Sequence, residues 1–395
     1  MSLIDLWTKS PGQLQGKLVH QLVGIAGDGK LTDGGACSLE FREFLASVPS
    51  ASLEAYCEQI LASSFPDSGF VLQDIVNEIG ARLGATATRG RYRGTVKHVG
   101  FDGLWVFPSG HSIIVEVKTT DAYRIDLNTI ASYRQSLVAS NVATEAQSSM
   151  LFVVGRYDTG DLEAQIRGSR FAWDIRLISV DALLRLMSIK EAVEDPIVVQ
   201  RIHSILVPRE FTRLDAIAEI LFSTATEIQK DDAAIEVDDD ANNSDAAVPK
   251  FKPVAFHDAC VSRVQSALHV SLVKRSRAGY TSPDQSVALN CAVSKEHTPD
   301  TRPNYWFAFH PHQRDFLKQH AQAYVAFGCG SSDRVVLIPF EDFEPWLEES
   351  WTTTSGDRPY WHVTIIRDRE KYSLRRRKGS KVVDLTKYLL PVIAQ

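Results

Sequence analysis

The sequence predicts an α/β protein with a mixed sheet flanked by helices, joined to a second, mainly β (α+β) domain. Segments with strand and helix patterns alternate between about residues 100 and 190, which is typical of an α/β core. An acidic stretch with few large apolar residues occupies 231–249, and short aromatic strands broken by Gly, Pro and Asp follow it. A chain of 395 residues is also long enough to enclose two hydrophobic cores.

The predicted organisation has four parts. A helical N-terminal region covers 1–68, because apolar residues recur there at near-helical spacing. The α/β domain covers 69–230. The stretch 231–249 carries a run of like charge and cannot bury enough apolar surface to fold alone, so it is predicted to be a flexible linker. The C-terminal domain covers 250–395.

Within the α/β domain, the stretch 100–118 predicts two strands joined by a tight turn at 108–110. The turn register pairs Phe107 with His111 and, five steps further, Asp102 with Glu116. Alternation along the second strand places Glu116 and Lys118 on one face and an apolar trio on the other. Further on, we expect a helix at 126–140, strands at 150–155 and 174–180, and a helix capped by Ser179.

Two carboxylates and an amine on one patch suit a reaction that holds a divalent cation against a phosphate. Mg²⁺ prefers a few carboxylate oxygens together with water and substrate oxygens, and a lysine can orient a nucleophile and offset developing negative charge. The pattern therefore predicts metal-assisted phosphodiester hydrolysis. An acid and a lysine on a strand can also be a solvated pair, but the preceding amphipathic helix and the Asp at the predicted register favour a site.

Asp102, thirteen intervening residues and Glu116-Val117-Lys118 resemble the motif of the PD-(D/E)XK nuclease superfamily. The resemblance covers roughly 70–185 and implies a restriction-endonuclease-like fold. It implies Mg²⁺, with Mn²⁺ as a substitute, held by Asp102, Glu116 and Val117, and a catalytic Lys118. It also implies a further acid on the preceding helix, for which Glu78 is the candidate and Asp74 a weaker one. Phe101 replaces the proline of the motif's name, at a position that commonly varies.

Basic and aromatic residues surround the predicted site and suggest contacts with nucleic acid. Lys and Arg supply much of nucleic-acid affinity by neutralising phosphates, although an ordinary solvated loop explains such residues equally well. The candidates in the α/β domain are Arg89, Arg91, Arg93, Lys97, Tyr123, Arg124 and Gln135.

The overall charge of −6 hides a basic C-terminal domain. Residues 246–395 hold 21 Lys and Arg against 15 Asp and Glu, whereas the rest of the chain holds 22 against 34. A basic module tethered to a nuclease is most simply a DNA-recognition domain, while its aromatic residues are expected to be mostly core. The candidate contacts are Lys274, Arg275, Arg277, Arg375, Arg376, Arg377 and Lys378.

Together these patterns predict a Mg²⁺-dependent endodeoxyribonuclease that acts on double-stranded DNA as a homodimer. Two alternatives stay open: a defence effector nuclease with a C-terminal sensor domain, and a non-catalytic nucleic-acid-binding protein on a retired nuclease fold. The chain shows no signal-type leader and no run of eighteen apolar residues, so we expect a cytoplasmic protein without a membrane anchor. Five cysteines without C-x-x-C spacing are expected to be reduced packing residues.

Overall fold

The computed structural model describes residues 1–63, 65–93, 100–119, 125–155, 160–208, 224, 253–297, 303–355, 358–377 and 382–391. The chain divides into two compact units, Met1–Ala234 and Ile235–Gln395. The described residues form twelve α-helices and fifteen strands, so the protein is mixed α/β. The predicted linker and the predicted contacts Lys97, Tyr123, Arg124 and Lys378 lie outside the described residues.

The first unit begins with helices, as the spacing of its apolar residues predicts. They are α1 (Leu3–Lys9), α2 (Val19–Ile25), α3 (Ala36–Ser47), α4 (Ser50–Ala62) and α5 (Ser68–Arg82). The buried faces of these five helices share one hydrophobic core with one face of the following sheet. The N-terminal helices therefore belong to the same unit as the sheet.

That sheet has five strands in the order β1-β2-β3-β4-β5. They are β1 (Thr86–Arg89), β2 (Gly103–Val106), β3 (Ser112–Lys118), β4 (Ser148–Val154) and β5 (Ile175–Ser179). The first three strands are antiparallel, and β3, β4 and β5 are parallel. The connecting and following helices are α6 (Leu127–Ala139), α7 (Gly160–Arg167), α8 (Val180–Glu191) and α9 (Pro196–Ile205).

The two faces of this sheet carry different cores. Ile113, Val115 and Val117 pack with α5 on one face. Ile114, on the opposite face, packs with the buried side of α6. The predicted alternation is thus confirmed, and helices cover the sheet on both sides.

The predicted turn and register are also confirmed. Gly110 has a φ of 82°, the left-handed conformation expected of a glycine at this place. Phe107 donates its amide N–H to the carbonyl oxygen of His111 at 3.0 Å. The ladder then runs in register to the pair of Gly103 and Val115. Asp102 follows as a bend directly beyond the end of the ladder.

The second unit is mainly β, as predicted, with a few helices. One sheet has the order β11-β10-β8-β7-β6, and in the other β12, β13, β14 and β15 are joined by β9, which pairs with β13. The strands are β6 (Val273–Lys274), β7 (Gly279–Thr281), β8 (Val287–Ser294), β9 (Asn304–Phe309), β10 (Gln322–Cys329), β11 (Val335–Pro339), β12 (Thr352–Ser355), β13 (Arg358–Asp368), β14 (Lys371–Arg375) and β15 (Val383–Asp384). The helices are α10 (Pro253–Leu268), α11 (Pro311–Lys318) and α12 (Phe340–Leu347).

The aromatic residues of the second unit are mostly core, as expected. Tyr305, Phe307 and Phe309 of β9 pack against Phe327 of β10 in a core between the two sheets. A second core lies between the β8–β10 sheet and α10. All five cysteines are free and buried, which confirms their prediction as packing residues. None of the described helices is both long enough and apolar enough to span a bilayer.

Candidate active site

The candidate site lies at the end of β3, on the sheet face that α6 covers. Lys118 Nζ donates to Glu116 Oε1 at 2.7 Å, so the strand alternation brings these two side chains together. Asp102 joins them through the neighbouring strand. Its Oδ2 accepts the amide N–H of Val117 at 2.7 Å, where a regular ladder would use a main-chain carbonyl. The bend at Asp102 thus allows its carboxylate to replace a strand partner beside Glu116.

Helix α5 fixes the main chain of Asp102 from the other side of the sheet. The carbonyl oxygen of Asp102 accepts from Asn77 Nδ2 at 2.9 Å, from Gln73 Nε2 at 3.2 Å and from the amide of Gly90 at 2.9 Å. Asn77 is fully buried, and its Oδ1 accepts from the indole N–H of Trp105 at 3.0 Å. One buried amide therefore ties α5, β2 and the bend at Asp102 together. Neither Asn77 nor Gln73 is among the predicted site residues, because an amide side chain on a helix carries no distinctive signal in the sequence.

The charge of Glu116 influences the pKa of both Asp102 and Lys118. Burial, followed by the negative charge of Glu116, raises the pKa of Asp102 to about 7. Burial lowers the pKa of Lys118, but the charge of Glu116 and the hydrogen bond to it raise it more, so the net direction is upward. Lys118 is therefore an ammonium beside Glu116, and Asp102 is a carboxyl that holds its proton more tightly than an exposed one.

One oxygen of the site has no partner among the described residues. Glu116 Oε2 is buried and accepts no hydrogen bond there. A buried carboxylate oxygen without a donor is costly unless a cation occupies the space beside it. Across the part of the chain that the structure describes, no group of three or more His, Cys, Asp and Glu side chains could hold a metal ion. Two carboxylates are still enough for Mg²⁺, which keeps several water and substrate oxygens.

Tyr133 of α6 is a further residue of the site that the predicted set did not include. A Cβ added to Gly100 would lie 3.0 Å from the hydroxyl oxygen of Tyr133, so this ring closely approaches the chain before Asp102. Burial raises the pKa of Tyr133, and the charges of Glu116 and Asp102 add to the increase. The signal in the sequence is its position three residues after buried Ile130 and four before buried Leu137.

The described contacts of Glu78 are with two arginines and do not include Asp102, Glu116 or Lys118. Its carboxylate accepts from Arg82 Nε at 3.1 Å and from Arg89 Nη2 at 3.2 Å. Helix α5 packs on the sheet face opposite that of Glu116, since it shares its core with Val115 and Val117. Both oxygens of Glu78 are thus neutralised by arginines, and a role in metal binding stays a prediction.

Asp74, the alternative acid of α5, also has both carboxylate oxygens occupied by side chains of the first unit. Its Oδ1 accepts from Arg42 Nε at 2.8 Å, and its Oδ2 accepts from the hydroxyl of Tyr92. Arg42 comes from α3, and Tyr92 from the segment after β1. Asp74 therefore anchors the chain that presents Arg91 and Arg93.

The candidate DNA contacts in the first unit differ in their availability. Arg91, Arg93 and Gln135 are exposed, and the first two flank buried Tyr92. Arg89 is instead part of β1 and paired with Glu78. Three residues of the set are thus open to a ligand, whereas Arg89 has a structural partner.

The basic patches of the second unit lie at two hairpins. Lys274, Arg275 and Arg277 are half-buried in and after β6, and Arg275 Nε donates to Thr281 Oγ1 at 2.8 Å. Arg375 ends β14, and Arg376 and Arg377 follow it, before β15. Arg376 is paired with Glu349 at 2.8 Å, whereas Arg375 and Arg377 are exposed.

No protein-family model matches this chain, and no curated protein matches it by sequence.

Proposed function

We propose that the protein is a Mg²⁺-dependent endodeoxyribonuclease whose site is formed by Asp102, Glu116 and Lys118. The observation that carries this proposal is the site's arrangement at the end of β3. Two carboxylates adjoin there, an ammonium is fixed beside them, and one carboxylate has a buried oxygen without a hydrogen-bond partner among the residues that the structure describes. The proposed fold is restriction-endonuclease-like, which the order of helix, three antiparallel strands, helix and parallel strand supports.

The residues of the site would have distinct roles. Asp102 and Glu116 would hold the cation, with the carbonyl of Val117 as a further ligand. When bound, Mg²⁺ supplies charge neutralisation at the phosphodiester and lowers the pKa of a water molecule. Lys118, held as an ammonium by Glu116, would donate a hydrogen bond to the phosphate or to the attacking water and offset the negative charge of the transition state. Tyr133 would border the substrate on the α6 side.

Plasmid cleavage in Mg²⁺ tests the proposal. Asp102→Asn and Glu116→Gln keep the shape of each side chain but remove a charge, so we expect each to abolish cleavage. Lys118→Ala should cleave about 10²- to 10³-fold more slowly, the usual effect of removing one contact made in the transition state. Glu145→Gln is the matched control, because this exposed carboxylate of the same unit is remote from β3 in sequence and has no described side-chain contact. It should cleave normally.

Two results would decide against the proposal or refine it. Near-normal cleavage by Glu116→Gln would remove this site from the reaction, and DNA binding without cleavage in either Mg²⁺ or Mn²⁺ would favour the retired-nuclease alternative. Discrete fragments would support a restriction-type enzyme that recognises a sequence. A continuous smear would support an effector nuclease.

Double-stranded DNA and a homodimer complete the proposal. Cutting both strands of a duplex usually requires two sites, and C₂ dimers are the commonest way to supply them. We propose that the protein acts in the cytoplasm, where its five buried thiols stay reduced. Sedimentation of the protein with a DNA duplex tests the stoichiometry, and a single protein chain per cut duplex would contradict the dimer.

A further inference from the structure

One sheet of the second unit presents aromatic side chains on both faces. Along β9, Tyr305, Phe307 and Phe309 are buried in the core between the sheets. Trp306 alternates with them and points to the other side, where 41% of its surface is exposed. Trp351, which directly precedes β12, is 36% exposed. Large exposed aromatic surfaces on a folded unit mark interaction sites more often than isolated small apolar residues do.

Four residues on this side of the sheet are here termed the outer aromatic face: Trp306, Trp351, Tyr360 and His362. Trp306 and Tyr360 meet edge to face with centroids 6.2 Å apart, and Tyr360 lies 5.0 Å from His362. Trp306 lies on β9, Tyr360 and His362 lie on β13, and Trp351 directly precedes β12. The pairing of these strands therefore positions the face.

Hydrogen bonds fix the orientation of the rings. The indole Nε1 of Trp306 donates to His362 Nδ1 at 3.0 Å, and His362 Nε2 lies 2.7 Å from Thr353 Oγ1. Because an indole N–H can only donate, His362 Nδ1 must accept, and Nε2 then carries the ring proton and donates to Thr353. His362 thus links Trp306 to Thr353 of β12. A preorganised ring loses little conformational freedom when a ligand stacks on it.

The spacing of the two tryptophans provides two separate stacking positions. Trp306 lies opposite Thr364 on one edge of β13. Trp351 lies on the other edge, where its carbonyl oxygen accepts the amide N–H of His362 at 2.8 Å. The backbones of the two tryptophans are therefore two strand spacings apart, a distance of roughly 10 Å.

Positive charge borders the face on the β14 side. The guanidinium of Arg375 lies 5.6 Å from the ring centroid of Trp351, and Arg375 is opposite Thr364 in the ladder. Arg377 is exposed two residues further on. The C-terminal residues also hold a net excess of Lys and Arg. Exposed aromatic rings beside arginines are complementary to a ligand with flat rings and a polyanionic backbone.

We propose that the outer aromatic face binds single-stranded DNA, with unpaired bases stacked on Trp306 and Trp351 and phosphates contacted by Arg375 and Arg377. The choice of DNA over RNA rests on the proposed nuclease function. The proposal that unpaired bases stack on this face does not depend on that function. Bases within a duplex are stacked on one another, so their faces are not available to these rings. The face therefore binds strands or unpaired segments, and binding needs no metal.

Fluorescence anisotropy of the full chain with a labelled 12-nucleotide oligothymidylate, in EDTA, tests the proposal. Trp306→Ala and Trp351→Ala should each weaken binding roughly 5- to 150-fold, the usual effect of losing one base–aromatic stack. Trp306→Phe retains a ring and should keep most of the affinity. Trp173→Ala is the matched control, because Trp173 is 66% exposed but belongs to the first unit. It should bind as the unsubstituted protein does.

The outcomes separate this proposal from the nuclease proposal. Because the titration contains EDTA, binding of the oligonucleotide does not depend on the metal site at β3, and a protein that binds the strand but cleaves no DNA would support this proposal and contradict the nuclease proposal. The proposal is overturned if the full chain does not bind the strand, if Trp306→Ala and Trp351→Ala both bind normally while folded by circular dichroism, or if a duplex of the same length binds as tightly. Tighter binding of the matching oligouridylate would overturn the choice of DNA.

Discussion

At the residue scale, the ionised form of the Asp102 side chain is unfavourable in the folded protein. Its carboxyl is buried beside Glu116, and the only hydrogen bond described to its side chain comes from the amide of Val117. The folded state therefore favours the protonated form of Asp102, whose pKa rises from 3.8 to about 7. A cation that binds both carboxylates would remove this penalty. If the proposed function holds, we expect the site to be more stable with Mg²⁺ than without it.

We expect Asp102→Asn to be more stable than the unsubstituted protein at pH 8 in EDTA. The unfolded state releases the Asp102 proton near pH 4, but the folded state keeps it to about pH 7. The free energy of unfolding therefore falls as pH rises through this window, and the full penalty applies above it. The gap corresponds to at most about 4 kcal/mol, since each pKa unit is worth about 1.4 kcal/mol. The substitution abolishes the penalty.

Urea unfolding between pH 4 and 8 measures the difference. The stability gain of Asp102→Asn should shrink towards pH 4, where both states of the unsubstituted protein hold the proton. Addition of Mg²⁺ at pH 8 should stabilise the unsubstituted protein and have little effect on the variant. If Asp102→Asn proves less stable at pH 8 in EDTA, Asp102 is not held in the environment described here.

At the element scale, close packing of α5 on β2 determines where the site forms. A Cβ added to Gly80 would lie 2.3 Å from Trp105 Cε2, so only a residue without a side chain allows this approach. Trp105 in turn donates to Asn77, which holds the carbonyl of Asp102. The distance between α5 and β2 is therefore coupled through the buried amide of Asn77 to the position of Asp102, the carboxylate proposed to be catalytic.

Gly80→Ala should destabilise the protein by about 1–3 kcal/mol, because overpacking a filled core outweighs the better helix propensity of alanine. It should also slow DNA cleavage, since movement of Trp105 disturbs Asn77. Gly69→Ala in the same helix is the control: a Cβ there meets nothing within 4 Å. It should be neutral or slightly stabilising in thermal unfolding. Equal stability of the two variants would contradict the packing argument.

The elements that local rules govern could be predicted from the sequence. The β2–β3 hairpin, its register and the faces of Glu116 and Lys118 follow from strand alternation and from Gly110 in the turn. The strand β1 was missed, because Thr86–Arg89 is only four residues long, has no large apolar side chain and lies half-exposed at the sheet edge. The pairing of Asp74 with Arg42 was also missed, since it joins residues 32 positions apart. Such contacts depend on tertiary packing, which no local pattern carries.

At the scale of the whole molecule, each unit encloses its own cores. Ile75 is buried in the core shared by α5 and the first sheet, and Phe343 in the core between the two sheets of the second unit. The proposed phosphodiester chemistry thus lies in an acidic unit, and the proposed strand binding lies among residues 246–395, which hold more Lys and Arg than Asp and Glu.

We expect two unfolding transitions in calorimetry, each sensitive to its own core. Phe343→Ala should destabilise the second unit by about 3–5 kcal/mol and lower one transition temperature. Ile75→Ala should lower the other by a comparable free energy, about 2–5 kcal/mol. If both substitutions shift one common transition, the two units unfold together and the prediction is wrong.

Chemical modification of the five buried cysteines can also measure how often each unit opens locally. Cys37 and Cys57 lie in the first unit, and Cys260, Cys291 and Cys329 in the second. Burial raises the pKa of the Cys37 thiol to about 11 and that of Cys57 to about 12, so neither is a reactive thiolate near neutral pH. A thiol reagent can therefore modify each cysteine only when its surroundings open. Mass spectrometry of the modified peptides would give the opening rate of each unit separately in the unsubstituted protein, without an attached probe.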